Sequence, residues 1–215
     1  MKSISVIIPT YNNAIYIERC LRSLEDQSID ANFFDIIVID DGSMDNTSEI
    51  VKKKFPNVKL ISRTENKGLP FSVNEGLRSS KSTTIVRVDS DDYVHRNFLE
   101  YLLFFYDNNK TFQACACDYY ITNKDGNSLK QVNCEEEPIA CGILFDYQVL
   151  VSLGLYDEAM LYNEDKDLMH RFIKANHKIL RVPAPLYRYR MHESNISNNK
   201  NLVDKFNLKL KEKIK

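Results

Sequence analysis

The chain has 215 residues, 43% of them apolar and 27% charged, which is enough to bury one core and sets aside collagen, disorder and coiled coil as whole-chain descriptions. With 29 Lys+Arg against 30 Asp+Glu the net charge is -1, so the uniform electropositive field of a general nucleic-acid binder is missing and any phosphate must be held locally. The longest apolar run is short of the roughly 18 residues that cross a bilayer, and Met1-Lys2-Ser3 leads directly into a β-branched stretch, which gives a cytoplasmic location as the expectation.

In chain order, Ser3–Pro9 reads as a buried strand, and Ala14–Gln27 as a helix with Ile17, Leu21 and Leu24 on one face. Asp35–Asp40 is a second buried strand. A helix follows from about Asn46 to Phe55, with Asn46 and Glu49 spaced as a capping box. Val58–Ser62, Leu69–Leu77, Thr83–Asp89 and Arg96–Tyr106 then read as strand, helix, strand and helix. This alternation calls for a mostly parallel sheet flanked by helices. After about Asn108 the pattern becomes irregular: a strand at Gln113–Tyr120, a turn at Asp125-Gly126, a small strand around Ile143, and helices near Tyr147–Leu153 and Asp165–Ala175. Lys178–Val182 and Leu186–Met191 read as two short extended pieces split by Pro183 and Pro185. The last segment carries Lys205, Lys209, Lys211, Lys213 and Lys215 on a helix whose apolar and basic residues alternate; it reads as solvated, with peripheral contact to an anionic membrane as the lesser reading. The five cysteines are odd in number and lack metal or redox spacing, so they read as reduced thiols. One α/β domain is expected, divided at about residue 108, with the basic helix from about residue 201.

Ligands of open parallel sheets bind beyond the carboxyl ends of the strands. Pro9-Thr10-Tyr11 follows the first strand, Asp40-Asp41-Gly42-Ser43 the second, Asn66-Lys67-Gly68 the third and Asp89-Ser90-Asp91-Asp92 the fourth. Three carboxylates within four residues repel one another unless a positive charge sits among them, and hard oxygen ligands suit Mg²⁺ or Mn²⁺. Neither GxxxxGK[ST] nor GxGxxG is present, so backbone amides do not cradle the phosphates in either of those ways.

The string Ser5-Val6-Ile7-Ile8-Pro9-Thr10-Tyr11-Asn12, then Asp40-Asp41-Gly42-Ser43, Asn66-x-Gly68 and Asp89-x-Asp91-Asp92, resembles glycosyltransferase family 2. Glu164-Asp165-x-Asp167-Leu168 and Tyr187-Arg188-x-Arg190-x-His192 are similar to its acceptor-side motifs. The resemblance implies a GT-A type, Rossmann-like nucleotide-sugar domain with an irregular acceptor-side half, and inverting transfer from a UDP-like donor to a saccharide or lipid-linked saccharide, with Mn²⁺ or Mg²⁺. It further implies that Pro9, Tyr11 and Asp41 hold the base, with Asn66, Lys67 and Gly68 beside the nucleoside. Asp89 lies by the ribose with Ser90 in the same donor-binding loop, Asp91 and His192 take the cation, and Asp165 is the general base next to acceptor-side Glu164. A non-catalytic nucleotide-sugar binding module is the alternative; it would keep Asp41 and Asp91 and have no need of Asp165. A phosphate-receiver domain is disfavoured because the first strand ends in Pro9-Thr10 instead of an acidic pair, and a nucleotidyltransferase because its Gly-rich basic loop is absent.

Overall fold

Continuous β-branched runs make strands that are buried on both faces, as a sheet covered by helices on each side requires. The structure is a computed structural model and describes residues 3–193, 195 and 198–214; Lys215 at the end of the basic segment lies outside them. Strands β1 (Ile4–Thr10), β2 (Phe34–Asp40), β3 (Lys59–Ser62) and β4 (Thr84–Arg87) lie parallel in the order β3-β2-β1-β4. Five more follow: β5 (Tyr93–Val94), β6 (Ala114–Thr122), β7 (Ser128–Val132), β8 (Ile143–Asp146) and β9 (Ile179–Arg190). They extend the sheet as β4-β8-β6-β9-β5, with β7 a hairpin partner of β6. Because β8 is antiparallel to both β4 and β6, and β9 is parallel to β6, the strands β1, β2, β3, β4, β6 and β9 share one direction. The chain builds the α/β sheet expected from the sequence, parallel through β3-β2-β1-β4 and mixed beyond it.

The described residues form seven helices, α1 (Ile17–Glu25), α2 (Thr47–Lys54), α3 (Leu69–Ser79), α4 (Phe98–Asp107), α5 (Tyr147–Ser152), α6 (Glu164–Lys174) and α7 (Lys200–Ile214), the first six of them against the sheet. Strand alternation divides the core in two. Ile4, Val6 and Ile8 of β1 join Leu21 of α1, Val51 of α2 and Phe98 of α4. Ile7, between them, joins Val73 of α3, Leu150 of α5 and Phe172 of α6 on the other face.

Four local expectations change. Helix α1 starts at Ile17 because the N–H groups of Asn13 and Ala14 are taken by the side chains of Thr47 and Asp45, which tie this loop to the start of α2. The Asn46–Glu49 capping box does not form; Asp45 accepts from the Thr47 N–H instead. Helix α6 starts at Glu164, one residue before the expected Asp165, with Asn163 in the left-handed region as its N-cap. The two extended pieces around Pro183 and Pro185 are one strand, β9, whose register against β6 shifts between Cys117 and Tyr119, where prolines lack the N–H for a regular ladder.

The basic helix α7 is a buttress more than a solvated tail. Phe206 and Leu210 are buried against Met160 and Tyr162, and Lys213 pairs with Asp157 and Asp167. That much of its apolar surface is spent on the protein and not on a membrane. Among the described residues no helix is long and apolar enough to cross one.

Strands β6 and β9 are also joined by Asp118 and the Arg181 guanidinium at 2.6 and 2.9 Å. Burial alone would raise the Asp118 carboxyl, but the Arg181 fork and the Cys134 N–H outweigh it and hold it below its ordinary value. The native proton affinity is therefore lower than the unfolded one. Stability from this pair is complete above about pH 4 and is lost as pH falls through the depressed native value. Urea midpoints measured from pH 6 down to pH 2 should fall less steeply in Asp118→Asn than in the parent chain.

Candidate active site

The parallel part of the sheet reverses its winding between β1 and β4, which opens a cleft at their carboxyl ends. β4 stops pairing with β1 at Arg87, opposite Ile7, so Pro9 sits past that ladder and its missing N–H breaks no bond to β4. Tyr11 follows at the cleft edge, 44% exposed, and is no core aromatic. Asp41, in contrast, is 3% exposed. Its carboxylate accepts from the Lys67 N–H at 2.9 Å and the Gly68 N–H at 2.8 Å, and pairs with Arg63 Nη1 at 3.0 Å. A carboxylate has about four acceptor positions, and these three contacts occupy most of them. Lys67 and Asn66 are exposed, and the Lys67 ammonium lies 4.8 Å from the Phe71 ring centroid.

Gly42 makes this approach of two loops possible. Its φ is +80°, and an added Cβ would stand 2.9 Å from the Glu65 carbonyl carbon. Gly42→Ala is expected to destabilise the fold by about 1–3 kcal/mol, read as a lower urea midpoint.

At the end of β4 the chain itself supplies part of the positive charge that the aspartate cluster needs. Arg87 is buried, and its Nε and Nη2 hold the two oxygens of Asp89 at 2.6 and 3.1 Å while Nη1 reaches Glu164 at 3.0 Å. The chain Asp89–Arg87–Glu164 thereby fastens the β4 end to the first turn of α6. Burial raises the Glu164 carboxyl despite Arg87. Asp165, next in sequence, is half-buried and has no hydrogen-bond partner among the described residues. Behind it Asn163 donates to the Val203 carbonyl and to Asn207 of α7, so the terminal helix steadies the turn that carries both acids.

The loop after Asp89 separates its aspartates. Ser90 is buried and its hydroxyl accepts from Asn13 at 2.6 Å. Asp91 Oδ2 lies 2.7 Å from His192 Nε2, with Asn195 Nδ2 at 3.5 Å. Asp92 turns inward to the Tyr187 hydroxyl at 2.7 Å and the Arg190 N–H at 2.7 Å, and burial, then repulsion from Asp91 and Asp89, push its carboxyl well up. Two groupings offer ligands for a cation. Asp91 and His192 bring a carboxylate oxygen and an imidazole nitrogen together, a mixed donor set that suits a transition-metal ion such as Mn²⁺ better than Mg²⁺, whose ligands are oxygens. Asp89, Asp92 and Cys141 bring three atoms within 4.8 Å. Asp89 is committed to Arg87 and Asp92 to Tyr187, as Asp91 and His192 are to each other, and burial drives the Cys141 thiol well above its ordinary range.

Sequence reasoning missed Arg87 and Arg63, and named Tyr187 within a motif without its contact to Asp92. A charge closing the buried strand Thr84-Ile85-Val86-Arg87 was the available sign for the first; Arg63 gave none, since its partner Asp41 lies 22 residues away.

The family model for glycosyl transferase family 2 matches residues 5–173. The chain belongs to glycosyl transferase family 2. This family 2 chain is 39% identical over 179 residues to the poly(ribitol-phosphate) beta-glucosyltransferase of Bacillus spizizenii, covering 80% of itself and 27% of that protein. It is 30% identical to the minor teichoic acid biosynthesis protein GgaA of Bacillus subtilis, covering 94% of itself and 49% of that protein. It thus spans half or less of the length of these curated relatives. Among solved structures it resembles S. aureus TarS 1–349 in complex with UDP, with TM-score 0.76 and 23% identity over 96% of this chain and 65% of that one. It also resembles the mannosyltransferase PcManGT of Pyrobaculum calidifontis in complex with GDP-Man and Mn²⁺, with TM-score 0.76 and 18% identity over 98% of this chain and 63% of that one. The folds agree with the GT-A arrangement expected for the family 2 sequence.

Proposed function

We propose that this chain is a cation-dependent, inverting glycosyltransferase domain that moves a sugar from a UDP-type donor to a hydroxyl of a cell-envelope polymer. The observation that supports it most is the ion-pair chain Asp89–Arg87–Glu164, which joins the strand end proposed to meet the donor to the helix turn proposed to meet the acceptor. Relatives named for poly(ribitol-phosphate) glucosylation and teichoic acid biosynthesis support a phosphate-bearing polymer as acceptor. The UDP in the TarS structure supports the nucleotide.

In this reading Tyr11 and Pro9 flank the base and the remaining direction of Asp41 accepts from its ring N–H. Lys67, Asn66 and Gly68 lie along the nucleoside, with Asp89 and Ser90 by the ribose. Asp91 and His192 would hold Mn²⁺ or Mg²⁺, which would supply positive charge to the departing diphosphate. Asp165 accepts the proton of the acceptor hydroxyl as its oxygen bonds to the anomeric carbon. The bond from that carbon to the diphosphate breaks on the opposite face, and UDP leaves with the electron pair. Glu164, held by Arg87, orients this turn. The inner face of a membrane, where a polymer acceptor would be met, stays part of the proposal for location.

The test is nucleotide release from UDP-, GDP- and dTDP-sugars, with and without a poly(ribitol phosphate) acceptor, in Mn²⁺ or in EDTA. UDP release that needs acceptor and stops in EDTA is expected. Binding of UDP-sugar with no release under any condition would instead mark a non-catalytic binding module.

A further inference from the structure

Five side chains form one column behind the Asp91–His192 pair. The Tyr16 and His192 rings have centroids 4.9 Å apart. The Arg190 guanidinium lies 4.5 Å from the Tyr16 centroid and 5.4 Å from that of Tyr93, and Arg19 lies 3.9 Å from Tyr93. The far end is anchored on the turn between β6 and β7, where three successive carbonyls each accept from a member of the column. Lys124 O accepts from Arg190 Nη1 at 2.9 Å, Asp125 O from Arg19 Nη1 at 3.1 Å, and Gly126 O from the Tyr93 hydroxyl at 2.7 Å.

Arg190 is the informative member. It is 3% exposed, and its Nε and Nη2 are buried without a hydrogen-bond partner. No ion pair closes on its guanidinium among the described residues. A buried cation left in this state is more costly than an apolar side chain of the same volume, so stability does not account for it. Stacking does: a desolvated guanidinium against two tyrosine rings is where cation–π attraction is strongest. What the stack adds is direction at its near end. The backbone of His192 is already fixed, since its N–H donates to Asn195 Oδ1 while Asn195 Nδ2 holds the Arg190 carbonyl. Those bonds leave the plane of the imidazole to the ring's own contacts, of which the Tyr16 face is one.

We propose that Tyr16 and Arg190 are positioning residues for the cation, the column holding the His192 ring so that Nε2 stays aimed at Asp91. This rests on the reading that Asp91 and His192 bind the metal. Metal-ligating histidines depend on outer partners for orientation, and loss of such a partner weakens binding about 10–100-fold.

The experiment follows Mn²⁺ binding to the full chain in the presence of UDP by the EPR signal of free Mn²⁺, together with UDP binding in EDTA and thermal midpoints. Tyr16→Leu and Arg190→Leu should each weaken Mn²⁺ binding by about 10-fold or more, and Tyr16→Phe should keep the parent value, because the hydroxyl is no part of the column. UDP binding in EDTA should be unchanged in all three. Arg190→Leu should melt no lower than the parent, a result opposite to that of a purely structural arginine. If the parent binds no Mn²⁺, or Asp91→Ala binds it as well as the parent, the cation reading fails and takes this inference with it. If those controls behave as read but Tyr16→Leu and Arg190→Leu keep the parent affinity, or Tyr16→Phe loses as much as Tyr16→Leu, this inference alone is overturned. Should Arg190→Leu not fold, the two Tyr16 variants decide.

Discussion

Asp165→Asn is expected to lower transfer by about 10²–10⁴-fold while UDP-sugar still binds with nearly its parent affinity. The amide is nearly isosteric with the carboxylate, so the first turn of α6 keeps its shape, and the Arg87–Glu164 pair beside it is untouched. What is lost is the acceptor for the hydroxyl proton. A deficit made only in the transition state lowers kcat and kcat/KM together. The check is steady-state turnover alongside calorimetric donor binding. Near-normal turnover would show that another group takes the proton. Glu164 is the nearest candidate, but its carboxylate is committed to Arg87 and buried, which makes it the poorer base in position if not in proton affinity.

Asp91→Ala should have the larger effect on the donor. It removes the oxygen that faces His192 Nε2. Because Asp91 is a proposed direct ligand, the loss of Mn²⁺-dependent UDP binding should exceed the roughly 10–100-fold typical of outer-shell substitutions. Residual binding through Asp41 and Tyr11 should then be the same in Mn²⁺ and in EDTA. The two variants separate the roles: Asp165→Asn keeps binding and loses chemistry, and Asp91→Ala loses both. A pair of variants with the same profile would contradict that division.

The half of the fold up to Asp107 was legible because its elements are local. Strands β1, β2 and β4 are short apolar runs bounded by turn residues, and α1 and α3 show their buried face at helical spacing. Helix ends were less legible, since they depend on distant side chains such as the Asp45 carboxylate that takes the Ala14 N–H from across the β1–α1 loop. The second half resisted for the same reason on a larger scale. β8 inserts antiparallel between β4 and β6, and nothing in Ile143-Leu144-Phe145-Asp146 names its neighbours. Strand β9 reads as two pieces until β6 is present to pair with both.

The site divided along similar lines. The strand-end aspartates were visible as a pattern, but the pattern alone does not sort them. Asp89 is held by an arginine, Asp91 meets a histidine 101 residues away, and Asp92 turns into the core. The supporting parts, Arg87, the Asn163 contact with α7 and the Tyr16, Tyr93 and Arg19 members of the column ending on His192, are made by residues that look unremarkable in one dimension. Their chemistry comes from burial and from partners the chain supplies much later.

The most direct test of the account is crystallographic. Crystals grown with UDP and Mn²⁺, measured near the manganese absorption edge, should show one anomalous peak within coordinating distance of Asp91 Oδ2 and His192 Nε2, in contact with the diphosphate. A peak instead among Asp89, Asp92 and Cys141, or UDP bound in full with no manganese peak at all, would contradict the assignment of the cation on which donor binding and transfer are here made to depend.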